Sequence, residues 1–397
     1  MIDLVKLWLM ILLSILFSSS TLYLIEEWGT LSIVFLYSSL ITLIFSAIFI
    51  KKFKFKYNDI ALFLMLVFLI SGILSSLINQ DSDLFLRAVI YFILLISANI
   101  VIPSYLDIET EKITTRLILL THIPILFTPV IIDGFDKIPY YGIFSNPNSI
   151  AGIAVTVLAV FLGLFFEQIE NIFFQKRKLK ITYIVLYTVA ASFLILIISY
   201  ALSRTSFVTA MVVIMSGVIL FLVNAIRLKE FGSILRKGLF FLPPLLIIFY
   251  VLNIYLDISA SIEDNIVGKF SRKSGNVLSN RDDVWSQAFH NPSFFGNGAH
   301  FFRNETGLGA HNTLLSLFGT YGWIPTIAIF LLFMIAFYYV IKYFLKSESK
   351  YKYIAPLMLI TFLTLSMAED MNWKLSIIVS LILSGTYMNK KKLRITK

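Results

Sequence analysis

Three residues in this chain carry the chemistry most worth explaining: Arg204, Arg281 and His311. Arginine presents a planar fork of N–H donors that suits a phosphate or a carboxylate. Histidine moves protons near neutral pH. Together they suit a reaction in which a phosphorylated group departs while a hydroxyl loses its proton. Arg204 lies in Leu202-Ser203-Arg204-Thr205-Ser206, a short link between two apolar runs. Charges at membrane depth are costly and point to function, although an arginine there also serves to reach lipid headgroups. Arg281 opens Arg281-Asp282-Asp283-Val284-Trp285 and serves either a phosphate or a local ion pair with Asp282 or Asp283. His311 follows Gly309-Ala310 and precedes Asn312, just ahead of an apolar segment. His290 and His300 lack that placement, and the spacings among the three histidines match no metal-ligand pattern.

Secondary candidates surround these. Arg87, in an apolar span near one end, is a third phosphate contact or a partner for Asp81 or Asp83. In Gly142-Ile143-Phe144-Ser145-Asn146-Pro147-Asn148-Ser149, Asn148 or Ser149 is expected to cap the helix that follows. Pro147 forces an extended approach to it. Glu369-Asp370 reads as a solvated turn, with a base or an acceptor contact as the alternative.

The elements that must position these residues are apolar. The chain is 58% hydrophobic and 14% charged, with mean hydropathy +0.86. A soluble domain carries about 25% charged residues, so this is a membrane protein. With no cysteine, disulfide and thiol chemistry are excluded. A helix crossing ~30 Å of hydrocarbon needs about 20 residues. Twelve spans are predicted on that basis: 4–25, 31–50, 59–78, 84–103, 117–132, 149–166, 181–199, 206–226, 238–256, 323–344, 354–368 and 373–388. The first is too long for a signal-peptide core and is expected to be retained. The fold class is therefore all-α and polytopic, with one large polar loop between spans nine and ten. The chain divides into a nine-span block (1–256), the loop (257–322), and a three-span block with a basic tail (323–397).

Basic residues set the orientation. Lys6, Lys51 to Lys56, Lys112 and Arg116, Lys176 to Lys180, Arg227 to Lys237, Lys342 to Lys352 and Lys390 to Lys397 fall in alternate links. The intervening links 26–30, 79–83 and 369–372 hold none. Both termini are thus expected in the cytoplasm and the long loop outside. The formal charge of +10 is mostly a topology signal, so nucleic acid is not expected as a partner. In the loop, Asp282 to His290 is predicted as a short helix ended by Asn291-Pro292. The Gly-rich 296–309 stretch reads as loop, and 313–322 as a re-entrant or interfacial helix.

The order of these pieces resembles the O-antigen ligase and polymerase superfamily of bacterial envelope glycan enzymes. The matching residues are Gly142 to Asn148 before a span, Ser203-Arg204-Thr205 in a short link, and Arg281 with Trp285 four residues on. The run Pro292, Gly296, Gly298, the ending Gly309-Ala310-His311-Asn312, and Gly319 and Gly322 beyond it complete the pattern. The stronger part covers about 142 to 325. The resemblance implies a multi-pass protein of the bacterial cytoplasmic membrane with an extracytoplasmic active loop. It implies a glycosyltransferase that takes glycan from an undecaprenyl diphosphate donor, with inversion and with no metal or cofactor. Arg204 and Arg281 would stabilise the leaving diphosphate, with Arg87 as a further contact. His311 would be the base toward the acceptor hydroxyl. Asn146, Asn148, Asn312 and Trp285 would line the substrate site. The implied product is O-antigen or capsular polysaccharide, assembled beside a flippase and a chain-length regulator. The rival within the family is a ligase that moves the glycan onto lipid A core or a protein. A rival class is a flippase for the same lipid-linked units. Transporters often carry charges at the membrane midplane, whereas Arg87, Arg204 and Lys374 all lie toward span ends.

Overall fold

A backbone surrounded by hydrocarbon can satisfy its own polar groups as a helix, and every regular element among the described residues is helical. The computed structural model describes residues 4–49, 55–106, 109–135, 137–174, 181–230, 232, 250–251, 253–254, 258–263, 281–291, 293–370 and 374–389. The helices are α1 (Leu4–Leu22), α2 (Gly29–Phe49), α3 (Asp59–Asn79), α4 (Ser82–Ile96), α5 (Ile102–Leu106), α6 (Thr110–Asp133), α7 (Pro147–Phe174), α8 (Ile181–Tyr200) and α9 (Arg204–Arg227). They continue as α10 (Ile258–Ile262), α11 (Arg281–His290), α12 (Phe301–Thr306), α13 (Thr313–Tyr321), α14 (Trp323–Lys346), α15 (Ile354–Ser366) and α16 (Leu375–Met388).

Nine helical stretches among the described residues are long and apolar enough to cross a membrane, which makes this a polytopic membrane protein. They correspond to the first eight predicted spans and the tenth. The expected ninth span lies largely outside the described residues, as does most of the first half of the polar loop. Several boundaries differ from expectation. The span placed at 84–103 runs from Ser82 to Leu106 through a π-helical turn, Ser97–Val101. The one placed at 117–132 begins at Thr110 and keeps Pro124 and Pro129 inside it. The one placed at 149–166 is α7, with 28 residues. Pro147 is the first residue of α7, where its missing N–H costs nothing. The cap is therefore Asn146, not Asn148 or Ser149: the Asn146 side-chain oxygen accepts the Asn148 N–H at 2.8 Å.

The last two predicted spans fold as the shorter helices α15 and α16, of 13 and 14 residues. All of α16 is buried. Its Ser376, Ser380, Ser384 and Gly385 allow close approach, as small residues do between membrane helices. A Cβ on Gly385 would stand 2.5 Å from the backbone of Asn99 in the π turn. Ser380 donates to the Met358 carbonyl of α15 at 3.0 Å. The helix that hydropathy places last in the chain is thus the central pillar of the bundle.

One end of the bundle is fixed by buried charge. Lys352 Nζ lies 2.6 Å from Glu170 Oε1, with the two side chains 3% and 4% exposed. The Tyr353 hydroxyl donates to the other Glu170 oxygen at 2.7 Å. Nearby segments are tied by Glu111, which accepts from Ser349 at 2.6 Å and from the Tyr387 hydroxyl.

The other end carries the second half of the polar loop. α11 is the predicted loop helix, extended to include Arg281. The stretch expected as plain loop contains α12, while α13 forms where a short apolar helix is expected. Val284 and Ala288 of α11, Phe301 and Phe302 of α12, Ala310, and Phe318 of α13 make a small core of their own. Burying such side chains contributes roughly 1.5–3 kcal/mol each for the larger ones. The chain then clamps onto the bundle. Asp81 caps α4 through Leu84 N–H at 3.0 Å and takes the Ala299 N–H at 2.7 Å with its second oxygen. Asn79 donates to the Phe295 carbonyl at 3.3 Å. Gly296 and Gly322 both have positive φ, +73° and +92°. A Cβ on Gly296 would sit 2.2 Å from the Thr320 carbonyl oxygen, so only glycine fits this crossing.

Candidate functional site

Three cationic or proton-carrying side chains from separate segments meet on one carboxylate. Arg281, at the start of α11, places Nη2 3.3 Å from Glu369 Oε1. His311 Nδ1 is 3.8 Å and Lys374 Nζ 3.9 Å from Glu369 Oε2. The Glu369 side chain is only 13% exposed, whereas His311 is 39% exposed. A carboxylate withdrawn from water would hold its proton more tightly. For Glu369 that burial effect is outweighed by His311, 3.8 Å away, and by the charges of Lys374 and Arg281, which keep its pKa below the ordinary 4.5. Glu369 lies in the link between α15 and α16, and Lys374 immediately precedes α16.

Local structure explains how His311 reaches this point. The Trp285 indole N–H, one turn beyond Arg281, donates to the Ala310 carbonyl at 2.7 Å. Asn312 caps α13 by accepting the Leu315 N–H at 3.0 Å, and its amide donates to the Met367 carbonyl at 3.0 Å. The Thr313 hydroxyl donates to the Glu369 carbonyl at 3.2 Å. His311 is therefore held from both sides and sits at φ +49°. A left-handed non-glycine residue costs about 1–3 kcal/mol, and such strain gathers at functional sites. Leu202, two residues before Arg204, is also left-handed at φ +54°.

Two openings flank the carboxylate. A narrow slot of about 20 Å³, room for about one water, is lined by Glu369, Lys374, Asn148, Ser206 and Thr156 among others. A broader cleft of about 340 Å³ is lined by Arg87, Arg303, Tyr321, Ser316, Ala310 and Asp370 among others. The acidic pair is shared between them, Glu369 facing the slot and Asp370 the cleft.

The structure thus brings Arg281, His311, Trp285 and Asn312 together. Asn148 joins them through the slot. Arg204 is the first residue of α9, two before Ser206 of the slot, with Ser203 as the helix cap. Asn146 is exposed, and its side-chain oxygen is used as the α7 cap. Arg87 stands apart on the cleft, where it donates to the Ala299 carbonyl at 3.3 Å.

Three expectations are corrected. The Arg281 partner is Glu369, far along the chain, not Asp282 or Asp283, which are exposed on α11. Arg87 pairs with neither Asp81 nor Asp83: Asp81 holds the Leu84 and Ala299 N–H groups, and Asp83 faces His300 Nε2 at 3.1 Å. Glu369 is not in a solvated turn but is a largely buried hub. The signal for it was an acid followed five residues later by Lys374, both next to apolar runs, where each charge needs a partner. No family model matches the chain, nor does any curated protein or solved structure.

Proposed function

We propose that the chain is a membrane glycosyltransferase of the O-antigen ligase and polymerase type. It would move glycan from an undecaprenyl diphosphate donor to an acceptor hydroxyl, joining repeat units into O-antigen or capsular polysaccharide. The observation that carries the reading is the partly exposed His311 beside the largely buried Glu369, with Arg281 on the same carboxylate. A base oriented by a carboxylate is the arrangement that removes a proton from an attacking hydroxyl. The acceptor oxygen forms a bond to the anomeric carbon of the donor sugar. The bond to the diphosphate oxygen breaks, and its electron pair leaves with the diphosphate. His311 takes the acceptor proton, and the configuration inverts. Arg281 and Arg204 would offset the charge developing on the leaving group. In this reading the active face lies outside the bacterial cytoplasmic membrane, with both termini inside.

The test uses purified protein, a synthetic undecaprenyl diphosphate repeat unit and no other acceptor, with products separated on a gel. A ladder that is absent with His311→Ala supports a polymerase. Transfer only after lipid A core is added makes it a ligase, and silence with every acceptor removes the transferase reading. A second expectation concerns Arg204. If it grips a phosphate at two points, Arg204→Lys lowers transfer about tenfold or more, because an ammonium lacks the fork. Full activity in that variant would leave Arg204 with a headgroup-anchoring role.

A further inference from the structure

The cleft beside the carboxylate cluster carries more charge recognition than a neutral sugar needs. Arg303, on α12, is exposed, and its side chain makes no hydrogen bond or ion pair among the described residues. Arg87 faces the same cleft and gives one hydrogen bond to the Ala299 carbonyl. Two guanidinium groups on one cleft therefore retain free donors. Neither guanidinium is in an ion pair with a local carboxylate among the described residues: Asp81 holds the Ala299 N–H, Asp83 faces His300, and Asp370 accepts from Ser316 at 3.2 Å. An independent observation lies at the base. The Tyr321 side chain lines the cleft, is 3% exposed, and its hydroxyl has no hydrogen-bond partner among the described residues. A buried hydroxyl without a partner is costly, which points to a ligand that supplies one.

We propose that this cleft binds an acidic sugar of the acceptor glycan, its carboxylate held by Arg87 and Arg303. This rests on the transferase reading for the word acceptor, but not for the binding itself. A volume of about 340 Å³ falls in the lower part of the range for small-molecule sites. Guanidinium forks match a carboxylate in two-point contact. Asp370 and the backbone of Gly309 offer acceptors and a donor to ring hydroxyls, and Phe302 and Leu317 offer apolar surface to a ring face. The position suits an acceptor. Ala310 and Asp370 line the cleft, and their chain neighbours His311 and Glu369 form the proton-transfer pair. A sugar anchored here places its chain within reach of His311.

The test measures binding by calorimetry on the whole protein in phosphatidylcholine nanodiscs. The probes are an oligosaccharide of alternating glucuronate and N-acetylglucosamine and the same compound with its carboxylates methyl-esterified. The acid is expected to bind at least tenfold more tightly than the ester. Arg303→Gln and Arg87→Gln are each expected to weaken the acid by about tenfold or more, the loss of a charge-assisted contact, and to leave the ester unchanged. The Arg303 side chain is exposed and has no hydrogen bond or ion pair among the described residues, so its variant keeps the test interpretable if Arg87→Gln misfolds. Equal binding of acid and ester, or unaltered binding in Arg303→Gln, overturns the proposal. So does competition by phosphatidylglycerol in the disc that abolishes acid binding, which would make the cleft a lipid-phosphate site. Selective acid binding together with a silent transfer assay would instead leave the cleft standing and remove the transferase reading.

Discussion

Glu369→Gln is expected to lower glycan transfer by about 10²- to 10⁴-fold, the scale of losing an effective general base, while the protein still reaches the membrane. The amide keeps the size of the carboxylate and loses the charge that gathers Arg281, His311 and Lys374. In the proposed reaction Glu369 acts through His311 as a positioning residue, and its variant carries a signature beyond low activity. Glu369→Asp keeps the charge on a shorter arm and should recover part of the rate, which a purely structural role would not predict. The pH dependence has a definite sign. The folded pKa of Glu369 lies below the ordinary 4.5, so the stabilisation it gives the docked loop is complete above about that value. It is lost as pH falls through the lower, folded value. Proteolysis of α11 to α13 in the wild type should accelerate only under those acidic conditions, and Glu369→Gln should remove the step. A Glu369→Gln enzyme with wild-type turnover would take the carboxylate out of the mechanism.

Lys352→Met is expected to destabilise the bundle by roughly 3–5 kcal/mol, the cost of leaving one partner of a buried ion pair alone. Here the abandoned charge would be Glu170, which loses a 2.6 Å contact and, among the described residues, retains the Tyr353 hydroxyl. A thermal melt in detergent reads the effect. The companion variant, Lys352→Met with Glu170→Gln, removes both charges and should regain most of the loss, because buried pairs often contribute little net stability. A single variant that melts like the wild type would place water around this pair.

Much of the bundle is legible in the sequence because hydropathy and helix length are local properties. The start of α7 shows where local reasoning slips. Asn146, Asn148 and Ser149 are all good caps, and what selects Asn146 is that Pro147 fits the first helical position. The predicted α11 survives because Asp282 and Asp283 favour a helix start. α12 was missed because Gly296, Gly298, Gly307 and Gly309 dominate its neighbourhood, and six residues give no readable period. Lys352 reads as an orientation signal, and nothing local shows that it is buried against a glutamate on another helix. Glu369 was misread for the same reason. Its partners come from three separate segments, and a single sequence does not reveal which distant charges converge.

The shortness of α15 and α16 bears on how the protein meets the bilayer. Helices of 13 and 14 residues rise only about 20 Å, against ~30 Å of hydrocarbon. Glu369 is correspondingly recessed: the slot beside it reaches Thr156, nine residues or about 14 Å along α7 from Pro147. Both helices are enclosed by longer neighbours, so their shortness is met by protein and the surrounding bilayer keeps its ordinary thickness.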